Sequence, residues 1–231
     1  MLKEENTYLK DIIKAVIVIS FYIVASGNIV NIADSLKIFD IIPRVTFAIF
    51  CEVSILLIII YMYKDDLVPM FKDFKKNIKT YLNKYFKYWL LILLLMLISN
   101  SIITQFTTTD TATNQEIIMD TFAIAPIYII ITTVLIAPLT EELIFRFCIN
   151  KIVPKPRIIY IILSGVIFGS MHVVLNPVDS FIDLLFIIPY SIPGIVFAYL
   201  YDKTKNIFIP TSLHFIHNGV LMLLELIITL I

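Results

Sequence analysis

Charged residues are scarce in this sequence. Only 16% of the 231 residues are Asp, Glu, Lys or Arg, whereas about a quarter are charged in typical soluble domains. Eighteen basic residues balance eighteen acidic ones, so no overall positive field exists to attract nucleic acid, and we expect no nucleic-acid partner. With 59% hydrophobic residues and a mean hydropathy of +0.93, the composition excludes a soluble globular protein.

Cysteine is nearly absent. Cys51 and Cys148 lie inside apolar stretches, without a CxxC or Cys/His spacing. This excludes a disulfide framework and a zinc knuckle. We interpret both as small buried apolar side chains.

Long apolar runs dominate what is present. About 20 mostly apolar residues are needed for a helix to cross ~30 Å of hydrocarbon. The sequence predicts an all-α polytopic membrane protein with about seven transmembrane helices. These run approximately over 15–33, 45–63, 88–106, 122–148, 158–175, 180–201 and 207–230.

The basic residues are distributed unevenly between the connectors. With the N-terminus inside, fifteen of the eighteen Lys and Arg residues lie on the cytoplasmic side, and only Lys37 and Arg44 lie outside. Cytoplasmic loops carry the positive excess. The predicted outer connectors 105–116 and 176–180 carry no Lys or Arg. We therefore expect a cytoplasmic N-terminus and an external C-terminus in a multi-pass cell-membrane protein.

The segment 64–87 is amphipathic. Its apolar residues recur every three or four positions, and its lysines occupy the other face. This predicts a basic interfacial helix that lies against anionic lipid headgroups, with a partner-docking surface as the alternative. It separates two N-terminal transmembrane helices in 1–63 from the remaining helices in 88–231.

Polar residues cluster within three late spans. Ionisable groups there cost ~2.5–3.5 kcal/mol each on insertion scales, so each is a candidate for function. The clusters are PLTEELIFR at 138–146, FGSMH at 168–172 and HFIHN at 214–218. Glu52, Asp183 and Glu225 also lie in or near spans, and Glu52 either pairs with Arg44 or lines a cavity.

Four of these polar residues have similar predicted depths. At ~1.5 Å per residue, they fall in one layer ~9 Å thick on three helices. The four are Glu141, His172, His214 and Asn218, and we expect them to form a single site. Glu142 and Arg146 share a helix face and can pair with each other. His217 lies near the face of His214 and is a helper or an alternative ligand.

This combination suits proton-transfer chemistry. A carboxylate beside proton acceptors and donors in a poorly solvated cavity is what a general base requires. The structural alternative is that each histidine is a satisfied packing residue.

Three ordered motifs carry a family resemblance. PxxEExxxR, FxxxH and HxxxN stand at 138–146, 168–172 and 214–218. In this order on late spans they resemble the CPBP intramembrane protease family, also called Abi, which includes the type II CAAX prenyl endopeptidases. The resemblance covers roughly 85–225 and implies a CPBP-like catalytic core in 88–231. The family core often has eight spans, so an eighth span here is the alternative to seven.

The resemblance implies roles for these residues. Glu141 would activate water with help from His172, and His214 with Asn218 would stabilise the oxyanion or take part in metal binding. Glu142 and Arg146 would support the first motif. In the metalloprotease variant, His172, His214 and a Glu would hold Zn²⁺ and leave one position open for water. The sequence lacks an HExxH helix, so the cofactor is either none or Zn²⁺.

The predicted function is intramembrane hydrolysis of a membrane-associated peptide or protein. One alternative is a non-catalytic scaffold or a bacteriocin self-immunity or regulatory protein, with a pheromone precursor or sensor kinase as partner. Another is a transporter with a relay of polar side chains. Frequent Ile, Lys and Asn residues indicate an AT-rich bacterial genome and a bacterial plasma membrane. Prenylated substrates are not expected there.

Overall fold

Every regular element of the described chain is helical. In a computed structural model, residues 2–107, 113–174 and 180–230 are described. Within lipid, a helix satisfies its backbone polar groups internally, which favours this outcome for long apolar runs. The helices are α1 Leu2–Gly27, α2 Ile29–Ser35, α3 Ile41–Met62, α4 Lys64–Ile103, α5 Thr113–Ile124, α6 Pro126–Ile152, α7 Arg157–Val174, α8 Phe181–Thr204 and α9 Phe208–Leu230.

Long apolar helices make this a multi-pass membrane protein. Within the described residues, five helices are long and apolar enough to cross a membrane, or six if α1 and α2, bent by 43°, count as one span. Large apolar side chains such as Phe50, Leu97 and Ile127 are about 70% exposed, as lipid-facing groups are.

Each of the seven predicted stretches is mostly helical over its described residues. The last one corresponds to α9, whose described apolar part is shorter than the others, at Phe208–Leu224. The number of spans stays a prediction. The centres of the two predicted outer connectors, 108–112 and 175–179, lie outside the described residues.

The segment 64–87 is not a separate helix. It continues without a break into the predicted third span as the 40-residue α4, because the junction around Lys87 and Tyr88 contains neither Gly nor Pro. At 1.5 Å per residue α4 is ~60 Å long, about twice the hydrocarbon thickness. Its N-terminal half therefore extends beyond one membrane crossing.

Asn206 joins that N-terminal half to the turn between α8 and α9. Its side-chain amide donates to the Met70 carbonyl and to Asp73 Oδ2, both at 2.8 Å, and its Oδ1 accepts the Phe208 N–H at 3.1 Å. The rings of Phe71 and Phe208 pack edge to face with centroids 5.2 Å apart. The turn is thus fixed on α4.

Glycines allow α7 and α8 to pack backbone to backbone. A Cβ added at Gly165 would lie 2.7 Å from the Ile195 backbone nitrogen, and one at Gly169 would lie 2.7 Å from the Ile187 carbonyl oxygen. A Cβ at Gly194 would lie 2.7 Å from the Gly165 Cα. Small residues permit this close approach in membranes, and it brings α7 against α8 beside the site.

Two larger apolar clusters and one smaller cluster pack around the site in the described part of the chain. The first joins α1, α3, α6 and α7 through residues such as Ala15, Ile59 and Phe147. The second joins α4, α8 and α9 through residues such as Trp89 and Leu213. Lys151 also links the ends of α6, α1 and α4 through Asp11 and Asp66, at 3.4 and 3.2 Å.

Candidate active site

A cavity of about 690 Å³ lies among the helices. Each helix except α2 contributes to its wall within the described residues. Most of the lining is apolar, and its polar members concentrate around the three late motifs. The polar lining residues are Tyr22, Ser26, Glu52, Asn100, Thr132, Thr133, Thr140, Glu141, His172, Tyr190, His214, His217 and Asn218.

Glu141 faces two histidines in this cavity. Its Oε1 lies 3.8 Å from His172 Nε2, and its Oε2 lies 3.7 Å from His214 Nε2. The side chains of Glu141, His172 and His214 are 15%, 19% and 5% exposed, so all three are shielded but open to the cavity. Three residues that the sequence places on three different helices thus converge on one point.

The partners of each ring fix which nitrogen carries the proton. His172 Nδ1 lies 2.8 Å from the Phe168 carbonyl oxygen, and His214 Nδ1 lies 3.0 Å from Glu142 Oε1. Both partners accept hydrogen bonds, so Nδ1 is the donor in each ring. In the neutral ring, Nε2 is then a proton acceptor that faces the Glu141 carboxylate.

The ring plane of His172 is also fixed. It stacks on Tyr190 of α8 with ring centroids 5.2 Å apart and an interplanar angle of 20°. Phe168, one turn earlier, packs against it at 4.4 Å. The sequence gives no signal for Tyr190, because aromatic residues are common throughout these spans.

Glu142 has a different environment from its neighbour Glu141. It is fully buried, and its Oε2 lies 3.2 Å from Nε of the equally buried Arg146. The guanidinium carbon of Arg146 lies 4.2 Å from the centre of the Phe168 ring, an arrangement that a cation–π attraction favours. The predicted pairing of Glu142 with Arg146 is observed, and Glu142 also holds His214.

Two π-helical turns shape α6 around Glu141. They span Ile131–Ile136 and Glu142–Cys148, on either side of Ala137–Glu141. Pro138 lacks an N–H and crowds the preceding turn, which explains a local change in the hydrogen-bond pattern. Ser164 and Tyr160 of α7 donate to the Phe145 and Arg146 carbonyls at 2.6 and 3.3 Å. Such turns are frequent at functional sites.

The first π-helical turn positions Asn218. The Asn218 amide donates to the Thr133 carbonyl at 2.7 Å. Because a carbonyl only accepts, this contact assigns the NH₂ group to that side of the amide. One N–H of Asn218 remains for another acceptor, and the side chain lines the cavity.

His217 lies in the same cavity wall. It is 4% exposed, and its Nδ1 has no hydrogen-bond partner among the described residues. The sequence placed it near the face of His214, and both residues line the cavity. Its role as a helper stays a prediction.

The donor set does not form a metal site. In the described part of the chain, no group of three or more His, Cys, Asp or Glu side chains is placed to hold a metal ion. The cluster formed by His172, His214 and Glu141 is not such a group. We therefore derive no chemical step through Zn²⁺.

The remaining in-span acids have separate explanations. Arg44 pairs with Asp34 at 2.6 Å, so Glu52 is not its partner and lines the cavity instead. Asp183 caps the start of α8 by accepting the Ser180 N–H at 3.0 Å. The Glu225 side chain lies outside the described positions. Sequence reasoning left Glu52 between two alternatives because only tertiary structure shows where Arg44 points.

One protein family and one curated protein are similar to part of this chain. A family described as type II CAAX prenyl endopeptidase Rce1-like matches residues 123–220. The "Putative membrane peptidase YdiL" of Bacillus subtilis (strain 168) is 30% identical over 115 residues, which are 49% of this chain and 43% of that protein. The chain therefore matches less than half the length of that relative. No solved structure is significantly similar.

The family match covers all three motifs and the four cavity residues Glu141, His172, His214 and Asn218. The resemblance predicted from those motifs is confirmed: residues 123–220 are similar to the type II CAAX prenyl endopeptidase Rce1-like family.

Proposed function

We propose that the protein is an intramembrane endopeptidase that hydrolyses a membrane-associated peptide or protein. The observation that carries this proposal is the convergence of the Glu141 carboxylate with Nε2 of His172 and His214, at 3.8 and 3.7 Å. These distances are too long for direct hydrogen bonds, and both sides of each gap are proton acceptors. A water molecule in contact with Glu141 and His172 can donate one hydrogen to each.

In this proposal Glu141 is the general base. It takes a proton from the water as the water oxygen bonds to the scissile carbonyl carbon, and His172 orients the water through Nε2. The proton on Glu141 then passes to the leaving nitrogen as the carbon–nitrogen bond breaks. One water is consumed, and one carboxyl and one amino terminus are released, so the reaction balances.

Asn218 supplies a donor for the developing negative charge. Its second amide N–H is not used by Thr133 and can donate to the carbonyl oxygen in the tetrahedral intermediate. Such preset donors are worth about 10²–10³ in rate. His214 donates its Nδ1–H to Glu142 Oε1 at 3.0 Å, so its Nε2 is an acceptor in the neutral ring and becomes a second donor only when this nitrogen also takes up a proton.

Glu142 and Arg146 have a supporting role in this proposal. Both lie behind the site, fully buried, and neither lines the cavity. Glu142 fixes the His214 ring, and Arg146 balances the charge of Glu142.

The substrate is proposed to reach the site from the cytoplasm or the inner leaflet. Glu141 lies nearer the C-terminal end of α6 and His214 nearer the N-terminal end of α9, and basic connectors adjoin both of these ends. Because cytoplasmic connectors carry the positive excess, this charge asymmetry supports the orientation. The mainly apolar lining suits an apolar segment of a membrane-bound peptide. A bacterial plasma membrane is the proposed location, with a non-prenylated peptide as substrate.

The test is hydrolysis by the purified protein. Wild-type protein in lipid nanodiscs is mixed with a set of lipid-anchored peptides in H₂¹⁸O, and products are read by mass spectrometry. The proposal predicts cleavage that adds one ¹⁸O to the new carboxyl terminus and that is lost in Glu141→Gln. A folded wild-type protein that cleaves no peptide, or cleavage that is equal in Glu141→Gln, would contradict it.

A further inference from the structure

A second carboxylate shares the cavity with Glu141. Glu52 of α3 and Tyr22 of α1 both line the cavity. Glu52, Glu141 and Tyr22 therefore share one cavity of about 690 Å³. Both Glu52 and Tyr22 lie outside residues 123–220, the segment that matches the family.

No Lys or Arg stands among the described lining residues to balance Glu52. The three histidines of the lining, His172, His214 and His217, belong to the late motif segments. Arg44, the nearest basic residue along α3, is paired with Asp34 at 2.6 Å. Arg146 belongs to the buried pair with Glu142 and does not line the cavity.

This charge distribution is unfavourable without a ligand. An ionised carboxylate in a poorly solvated cavity is costly unless a cation or several donors approach it. Two carboxylates in one cavity also repel each other. A ligand that carries a positive charge removes both costs, and the Tyr22 ring provides an aromatic surface for the same cation.

We propose that Glu52 is a specificity-determining residue that pairs with a Lys or Arg side chain of the substrate close to the scissile bond. This inference rests on the proposed function, because it assumes that the cavity holds a peptide. It assigns substrate selection to α1 and α3, and hydrolysis to the three late motifs. It also predicts discrimination against acidic side chains at the same substrate position.

Binding without cleavage separates this inference from the proposed function. Glu141→Gln protein in nanodiscs is titrated with a fluorescent, end-capped peptide of Ala, Leu and Ser that carries one central Lys. The comparison peptide carries acetyl-lysine at that position, which has nearly the same shape without the charge. The inference predicts about tenfold tighter binding of the Lys peptide, the usual effect of one charge-assisted hydrogen bond.

Variants of Glu52 decide whether that residue causes the preference. In the Glu141→Gln background, Glu52→Gln should bring the affinity ratio of the two peptides close to one. Asp65→Asn removes an equal charge from an exposed position of α4 and should leave the ratio intact. Equal binding of both peptides, or a Lys preference that survives Glu52→Gln, would overturn the inference. Cleavage by the wild type is measured separately and tests only the proposed function.

Discussion

At the scale of single residues, the site gives two adjacent glutamates different environments. Glu141 points into the cavity toward two Nε2 atoms, while Glu142 is fully buried against Arg146 and His214. Neighbouring residues on a helix diverge by about 100°, so one carboxylate can face a substrate and the next can face the core. Adjacent residues of the same chemistry can therefore differ in role.

Loss of Glu142 should damage the fold more than loss of Glu141. Glu142→Gln leaves the guanidinium of Arg146 buried without its partner, a type of change that costs ~3–5 kcal/mol. Glu141→Gln removes no buried ion pair and should leave the thermal unfolding midpoint nearly unchanged. Thermal unfolding of both variants in the same detergent measures this difference.

A double variant tests the reason for that loss. Replacing both members of a buried pair with apolar residues is often neutral, so Glu142→Leu with Arg146→Met should be more stable than Glu142→Gln. It should still lack hydrolysis, because His214 loses its acceptor. A double variant less stable than Glu142→Gln would contradict the ion-pair explanation.

Sequence reasoning reached the four cavity residues but not the network behind them. The helical rise placed Glu141, His172, His214 and Asn218 at one depth, and the structure lines one cavity with all four. The contact of Glu142 with His214 spans 72 positions, and helix periodicity carries no information about such pairs. For that reason the sequence predicts a pairing with Arg146 and a supporting role for Glu142, but not its contact with His214.

At the scale of helices, close packing of α7 on α8 holds His172 next to Tyr190. Gly165→Ala should destabilise the protein, because the new Cβ would lie 2.7 Å from a backbone nitrogen of α8. Overpacking of this kind typically costs ~1–3 kcal/mol. The measurement is the thermal unfolding midpoint together with hydrolysis.

Gly219→Ala is the matched control on α9. The Cβ of the new alanine would lie 3.6 Å from the Val134 Cγ1, an ordinary van der Waals distance. The thermal unfolding midpoint of this variant should therefore equal or exceed that of the wild type. Equal destabilisation of both variants would show that the cost comes from glycine itself and not from close packing.

The lysine face of α4 supports a second proposal at this scale. Lys72, Lys75, Lys76 and Lys79 are exposed on its N-terminal half, and each basic group near an anionic surface adds ~1 kcal/mol of attraction. Changing Lys75, Lys76 and Lys79 to Gln should lower the fraction of anionic lipid retained in mixed-lipid nanodiscs. The control substitutes Gln for Lys37 and Arg44, which we propose to lie on the external side, and should retain this lipid.

The continuity of α4 could not be predicted from composition alone. Composition separates a basic amphipathic half from an apolar half, and this difference predicts two separate helices. The structure has one helix because no residue at the junction ends it, and because Asn206 holds its first half against the neighbouring turn.

At the scale of the whole molecule, the N-terminal helices α1 and α3 and the motif-bearing helices α6, α7 and α9 line a common cavity. Apolar run length predicted where the helices lie, because lipid leaves few other folds for such segments. From the sequence, a cavity position was one of two alternatives for Glu52, and nothing indicated one for Tyr22, since both residues stand alone in their spans. How helices surround a cavity depends on side-chain packing that spacing does not encode.

The orientation can be tested by labelling. In a Cys51→Ser background, a cysteine at Lys76 should react with a membrane-impermeant maleimide only from the cytoplasmic side. A cysteine at Asp40, in the turn before α3, should react only from outside. Labelling of Lys76→Cys in intact cells would contradict a cytoplasmic position for the basic half of α4.

Hydrolysis with Glu141 as general base is the central claim, and the single-turnover cleavage rate of Glu141→Gln tests it most directly. General-base catalysis contributes about 10²–10⁴-fold, so the rate should fall by that factor while the unfolding midpoint stays near that of wild type. Asp65→Asn, which removes an exposed carboxylate that does not line the cavity, should cleave at the wild-type rate. A folded Glu141→Gln protein that cleaves as fast as Asp65→Asn would contradict the account.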